Sequence, residues 1–337
     1  MPHRSSEEVL IKCENISKEF KLTEKDPGLL AAIKSLVVRR KIKRTALSNI
    51  SFSVRSGEIV GLIGANGAGK TTLVKILAGI VHPTSGDISV LGHTPWNRSI
   101  EFRRSISLVM GQKAQLWWDL PADDCFILLK EIYQIPTRGF IETRDMLVNL
   151  LKVENILKTP VRRLSLGERM KMEIIAALLH SPKVIFLDEP TIGLDFHTQQ
   201  NLREFLLHYR DAARPAIILT SHYMEDIKTL ADRIIVIRAG GIVFEGTPEK
   251  LSQCVKQMRT ITITTNRPIE TSLLKSFSDY SVTLESQNLL SATIPLEVVQ
   301  KILIDALNIQ QITDVRVEEE DISVLITRLL GEPQREH

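Results

Sequence analysis

Apolar and polar positions change their spacing several times along the chain, and each change marks an element. Residues 9–21 (VLIKCENISKEFK) alternate partially and predict a strand. SNISFSV and EIVGLIG, within residues 46–64, predict two more, split by the Ser56-Gly57 turn. Between these strands lies an insertion, residues 22–45. Its Asp26-Pro27 pair is a helix-start signal, and Leu29, Leu30, Ile33, Leu36 and Val37 follow at helical spacing. A strand–loop–helix unit occupies 59–80, and a polar, helix-rich stretch covers about 115–180. Apolar runs at 183–187, 216–220 and 234–237 predict buried strands with helices between them. This alternation implies an α/β domain with a largely parallel sheet, into which the helical stretch is inserted as a subdomain.

After about residue 257 the order becomes strand (ITITT), helix from Pro268 through Phe277, two strands meeting at Gln287-Asn288, amphipathic helix (LEVVQKILIDALN) and strand (ITDVRVE). That β-α-β-β-α-β order resembles a ferredoxin-like α+β domain. A last helix is expected over Ile322–Leu330, with the acid run Glu318–Asp321 as its solvated start. The expected domains are therefore 1–257 and 258–337. The role of the second stays open between dimer brace, sensor and appendage.

Composition narrows the class. Hydrophobic residues are 43% and charged residues 25% of the chain, which excludes a wholly disordered or collagen-like protein. The longest uncharged runs, such as 59–69 and 76–86, fall well short of the roughly 18 apolar residues a membrane span needs. The start, MPHRSSEEVL, has no apolar core, so no secretory signal is expected. A net charge of +3 is mild and gives no reason to expect a nucleic-acid partner. Cys13, Cys125 and Cys254 are far apart, so reduced core thiols are expected rather than disulfides or a zinc site.

The chemistry enters at Gly64-Ala65-Asn66-Gly67-Ala68-Gly69-Lys70-Thr71, which fits G-x-x-x-x-G-K-[ST] between a strand and a helix. Such a loop wraps backbone N–H groups round a phosphate, and the helix N-terminus adds its positive end. Lys70 can reach the β- and γ-phosphates of ATP, and Thr71 can ligate Mg²⁺. Thr72 follows at the same helix start. Val184–Glu189 reads as a buried strand ending in two carboxylates, which a parallel sheet delivers to the ligand crevice. Asp188 is expected to hold Mg²⁺ through water, and Glu189 to polarise the attacking water.

These two motifs define a P-loop NTPase. Further ones resemble the ATP-binding cassette (ABC) ATPases. Leu164-Ser165-Leu166-Gly167-Glu168-Arg169 resembles the family signature LSGGQ, Gln112 the Q-loop glutamine, Gly193-Leu194-Asp195 the D-loop, and His222 the switch histidine. The order is the family's and spans about residues 9–250. Gln112–Pro121 together with LSLGERM resembles the ABC-2-type export subgroup.

The resemblance implies a mixed-sheet cassette that binds ATP and Mg²⁺. It implies Glu189, His222 and Gln112 in catalysis, and Thr71, Gln112 and Asp188 at the metal. Gly64, Asn66, Gly67, Ala68, Gly69, Lys70, Thr71 and Thr72 would bind the nucleotide, joined by Ser165, Gly167 and Asp195 from a second copy. That copy would meet the first head to tail, because one signature cannot close over its own phosphate loop. It further implies two ABC-2-type membrane subunits and a place at the cytoplasmic face of the membrane. An importer ATPase and a soluble non-transport ATPase are the alternatives.

The chain departs from the pattern in three places. Leu166 and Glu168 replace a glycine and a glutamine, and the amides of Ser165 and Gly167 are expected to stay available to a γ-phosphate. The adenine-stacking position falls to Phe20, which either stacks or is plain core. The insertion separates Phe20 from Gly64. Its apolar stripe and its basic residues Lys34, Arg39, Arg40, Lys41, Lys43 and Arg44 suit either a helix on its own cassette or an amphipathic segment on the membrane surface. Trp117 and Trp118 read either as core or as anchors for the membrane subunits.

Overall fold

The computed structural model describes residues 8–23, 41–111, 113–221, 223–254, 258–309 and 312–319. They belong to two compact units, Met1–Gly246 and Thr247–His337.

In the first unit, β1 (Val9–Thr23) and β2 (Lys41–Arg55) form a long antiparallel ribbon. β3 (Ile59–Ile63) starts the central sheet, and β4 (Ser85–Val90) pairs with the free edge of β1. The ribbon corrects the expected insertion. Leu22 pairs with Ile42 and Thr23 with Lys41, so both ends of 22–45 are strand. The ladder supplies the partners that a run of lysine and arginine does not advertise. Asp26-Pro27 and the stripe from Leu29 to Val37 lie outside the described residues.

The central sheet adds β5 (Ile106–Met110), β6 (Val184–Asp188), β7 (Ala216–Thr220), β8 (Arg233–Arg238) and β9 (Gly241–Gly246). Its order is β5-β6-β7-β3-β8-β9, parallel except for the antiparallel β8–β9 pair. β3, β6 and β7 are buried at every residue, as strands covered on both faces must be. Side chains such as Ile59, Leu62 and Phe186 each gain about 1.5–3 kcal/mol from that burial. Between β5 and β6 stand the helices Ala122–Tyr133, Thr137–Leu151 and Leu166–Leu178. Pro121 and Pro136 precede the first two, where a missing N–H costs nothing, and Gln134 and Lys152 end them in the left-handed conformation.

The second unit holds β10 (Met258–Thr265), β11 (Ser281–Ser286), β12 (Leu289–Pro295) and β13 (Ile312–Glu319). The order β11-β12-β10-β13, antiparallel throughout, is the ferredoxin-like arrangement. Alternate residues Leu290, Ala292 and Ile294 are buried, and Leu273 of the helix Thr271–Ser276, Phe277 just past its end, and Ile302 and Ala306 of the helix Leu296–Ile309 join them in one core. Glu318 and Glu319 stay in the ladder opposite Thr260 and Arg259, not at a helix start. The helix expected over Ile322–Leu330 lies outside the described residues.

Among the described residues no helix is long and apolar enough to cross a membrane. Cys13 and Cys125 are free and buried, and burial pushes the Cys13 thiol up to about 12.

Candidate functional site

β3 lies between β7 and β8, so its C-terminal end opens at the middle of the sheet. The phosphate loop follows it and leads into the helix Lys70–Leu77. Only glycine fits at two of its positions. A Cβ on Gly64 would come within 2.4 Å of the Ile237 carbonyl oxygen. Gly69 caps the helix at a φ of 114°, and a Cβ there would lie 2.5 Å from the Ala46 oxygen and 2.6 Å from Leu47 Cδ2. Lys70 Nζ donates to the carbonyl oxygens of Gly64 at 2.5 Å and Ala65 at 3.2 Å, which holds its charge against the loop.

The parallel register brings the end of β6 level with the end of β7, Asp188 opposite Thr220. The Thr220 hydroxyl donates to Asp188 Oδ1 at 2.7 Å, and the Thr71 hydroxyl donates to the same oxygen at 3.2 Å. Glu189 follows in the left-handed region, φ 57°, and its N–H donates to both the carbonyl and the hydroxyl of Thr220. Gly111 packs against this corner, where a Cβ would lie 2.0 Å from the Glu189 oxygen. Thr220 is fully buried and was not expected from the sequence, because only the register brings it to Asp188.

A cleft of about 310 Å³ opens here. It takes in the expected Phe20, Asn66, Gly67, Ala68, Gly69, Lys70, Thr71, Thr72 and Glu189, and adds Arg44 and Ala46. Phe20 is 37% exposed, which removes the plain-core reading. A divalent cation has two oxygen donors to meet, Thr71 Oγ1 and Asp188 Oδ1. Among the described residues no cluster of three or more His, Cys, Asp or Glu could hold a metal. Two hard donors beside a phosphate loop suit Mg²⁺, which completes its shell with water and substrate phosphates.

Ser165, Gly167 and Asp195 are not among the residues that line this cleft. Ser165 caps the helix Leu166–Leu178 in a reciprocal box: its hydroxyl accepts from the Glu168 N–H at 3.2 Å, and its own N–H donates to Glu168 Oε2 at 2.8 Å. The expectation that the Ser165 amide stays available is thereby corrected, since the glutamate that replaces glutamine takes it. Asp195 caps the helix Phe196–Ala213. The Thr198 hydroxyl and N–H both donate to its carboxylate and hold its pKa below the ordinary range. A Cβ on Gly167 would meet Thr198 Cγ2 at 3.0 Å, so signature and D-loop pack through Thr198.

Gln112 and His222 lie outside the described residues, whereas their neighbours in sequence are described. Beside His222, the Ser221 hydroxyl donates to the buried Asp226 at 2.6 Å, which also accepts from Thr191 Oγ1 and Arg203 Nε. Beyond Gln112, the N–H groups of Gln115 and Leu116 donate to Glu173 Oε1 on the signature helix. Glu173 Oε2 is buried without a partner among the described residues, and desolvation raises its pKa above the ordinary 4.5. A raised carboxylate pKa means that the folded state binds the proton more tightly than the unfolded one. Glu173 therefore costs stability as pH rises from about 4.5 through its folded pKa. Denaturant unfolding across pH 4 to 8 should show wild type losing stability relative to Glu173→Gln over that window. Parallel pH profiles would contradict the assignment.

Residues 47–192 match the family model described as ABC transporter. The ABC transporter ATP-binding protein NatA of Bacillus subtilis (strain 168) is 30% identical over 206 residues, covering 61% of this chain and 83% of the relative. The Nod factor export ATP-binding protein I of Rhizobium sp. (strain N33) is 34% identical over 208 residues, covering 62% of this chain and 68% of the relative. The fold matches a dimeric structure of the ATP-binding cassette MJ0796, bound to ADP and Pi, with a TM-score of 0.59 at 22% identity, over 70% of this chain and 98% of that one. The chain belongs to the ABC transporter ATP-binding proteins, and as such it binds and hydrolyses ATP.

Proposed function

We propose that this chain is the ATPase subunit of an exporter. In this reading two copies close head to tail on ATP and drive two separate ABC-2-type membrane subunits from the cytoplasmic face. The observation that carries it is the separation of the two halves of a nucleotide site. Lys70, Thr71 and Glu189 line one cleft, with Asp188 bonded to Thr71, while Ser165, Gly167 and Asp195 gather at another place on the same unit. A second copy brings the two together across a twofold axis. Export is supported by the role in the name of the Nod factor relative and by the resemblance of Gln112–Pro121 to that subgroup.

Phe20 stacks on the adenine, and the loop amides with Lys70 hold the β- and γ-phosphates. Thr71, Asp188 and Gln112 would hold Mg²⁺, which when bound neutralises phosphate charge and polarises the γ-phosphoryl group. Glu189 accepts the proton of the attacking water, and His222 steadies the γ-phosphate. Ser165 and Gly167 of the second copy face that phosphate, with Asp195 alongside. In this reading the basic residues Lys34, Arg39 and Arg40 of the insertion suit contact with anionic lipid.

The docking surface includes Trp117 and Trp118, 43% and 52% exposed. The Arg169 guanidinium lies over the Trp118 ring at 5.7 Å. Exposed tryptophans are the residues that anchor interfaces. With both replaced by alanine, co-purification with the membrane subunits should fall by about tenfold or more, a loss of ~1.4 kcal/mol or more. ATP binding by the subunit itself should change less than about twofold, since neither ring lines the cleft. Unchanged co-purification would remove this docking surface.

A further inference from the structure

The cleft holds a cation that the sequence motifs do not include. Arg44 stands on β2 directly opposite Phe20 on β1. Opposed residues of an antiparallel pair put their side chains on one face of the ribbon. Alternation along β2 then sends Ala46 to that face and Lys43 to the other. The contacts agree: Phe20, Arg44 and Ala46 line the cleft, whereas Lys43 pairs with Glu19 at 3.4 Å. Arg44 is exposed and has no ion-pair partner among the described residues. Its Nη2 lies 3.7 Å from where a Cβ on Gly67 would stand, in the middle of the phosphate loop. On Phe20, by contrast, the ring is approached by Lys18, whose Nζ lies 5.0 Å from its centroid and donates to the His82 carbonyl at 2.7 Å. Lys18 is thus anchored at the ring, and Arg44 is the ribbon's cation at the loop.

We propose that Arg44 is a nucleotide-binding residue whose guanidinium pairs with the phosphate chain of ATP seated in this cleft. Lys70 acts on the phosphates from the helix, and Arg44 acts from the ribbon. A planar guanidinium can donate two parallel N–H bonds to phosphate oxygens, which a lysine at the same place cannot. The proposal rests on the reading of the cleft as the nucleotide site.

The test is equilibrium ATP binding by the full chain at low and high salt, read by displacement of a fluorescent ATP analogue. Arg44→Gln is expected to weaken ATP binding about tenfold at low salt, and the gap should narrow as salt rises. Arg44→Lys, which keeps the charge and loses the fork, should recover part of the loss. Should Arg44→Gln melt at a lower temperature than wild type, Arg44→Lys decides alone: binding between two- and tenfold weaker, with wild-type melting, supports the role. Binding by a folded Arg44→Gln within twofold of wild type, or an equal loss at both salts, overturns it. Lys70→Ala runs in parallel. If that variant keeps ATP, the reading of the cleft fails and the proposal with it. If it loses ATP while Arg44→Gln does not, only the role of Arg44 fails.

Discussion

Glu189→Gln is expected to bind ATP as tightly as wild type and to hydrolyse it about 10²–10⁴-fold more slowly. The backbone of Glu189 is fixed from both sides. Its N–H is held by Thr220, and Gly111 abuts its carbonyl oxygen. Glutamine has the same shape, so this corner and the neighbouring Asp188–Thr71 contact stay intact while the proton acceptor is lost. Steady-state phosphate release measures the rate, and light scattering with ATP measures the mass. The variant should accumulate as a dimer that wild type forms only transiently. A turnover within twofold of wild type would reject Glu189 as the base.

Gly69→Ala should do most damage among the loop substitutions. Two independent costs fall on one atom. The φ of 114° is a conformation that L side chains rarely adopt, and the new methyl would sit 2.5 Å from the Ala46 oxygen and 2.6 Å from Leu47 Cδ2. Neither neighbour can retreat easily, since Leu47 is fully buried and its backbone belongs to β2. A destabilisation of about 2–4 kcal/mol is expected, with ATP affinity down by about tenfold or more as the loop is pushed out of shape. Gly92 supplies the control. Its φ is 75° and nothing lies within 4 Å of a Cβ built there. Gly92→Ala should therefore cost about 1 kcal/mol from the backbone alone and leave ATP binding untouched. Denaturant melts and nucleotide titrations of both variants separate strain from collision. Equal losses in the two would mean that the Ala46–Leu47 contact contributes nothing.

The sequence made some of this legible for definite reasons. β3, β6 and β7 read as uninterrupted apolar runs because a parallel strand is covered on both faces. The phosphate loop was legible because its glycines answer to steric limits that no other residue meets. The ribbon was not legible at Lys41–Ala46, where charge hides an alternation that only pairing with β1 reveals. From the sequence Arg44 accordingly reads with the basic residues of the insertion instead of the cleft. Thr220 needed the β6–β7 register, which joins residues 32 apart in sequence. The capping box was within reach. Ser165-x-x-Glu168 before an apolar helix is its ordinary sequence sign, and here it coincides with the signature motif.

That capping box changes how a dimer of this chain would close. A helix start whose donors face solvent takes up a phosphate by simple addition. Here the Ser165 N–H already serves a carboxylate of its own helix, so in the proposed dimer an incoming γ-phosphate would enter by substitution, one anion leaving as another arrives. Closure would then be driven by the difference between two anions competing for one amide. Glu168 stays tethered three residues away, ready to rebind at once when the phosphate departs. In the proposed dimer the resident acid would thereby act as a built-in spring, shortening the lifetime of the closed state without touching the residues assigned to ATP cleavage.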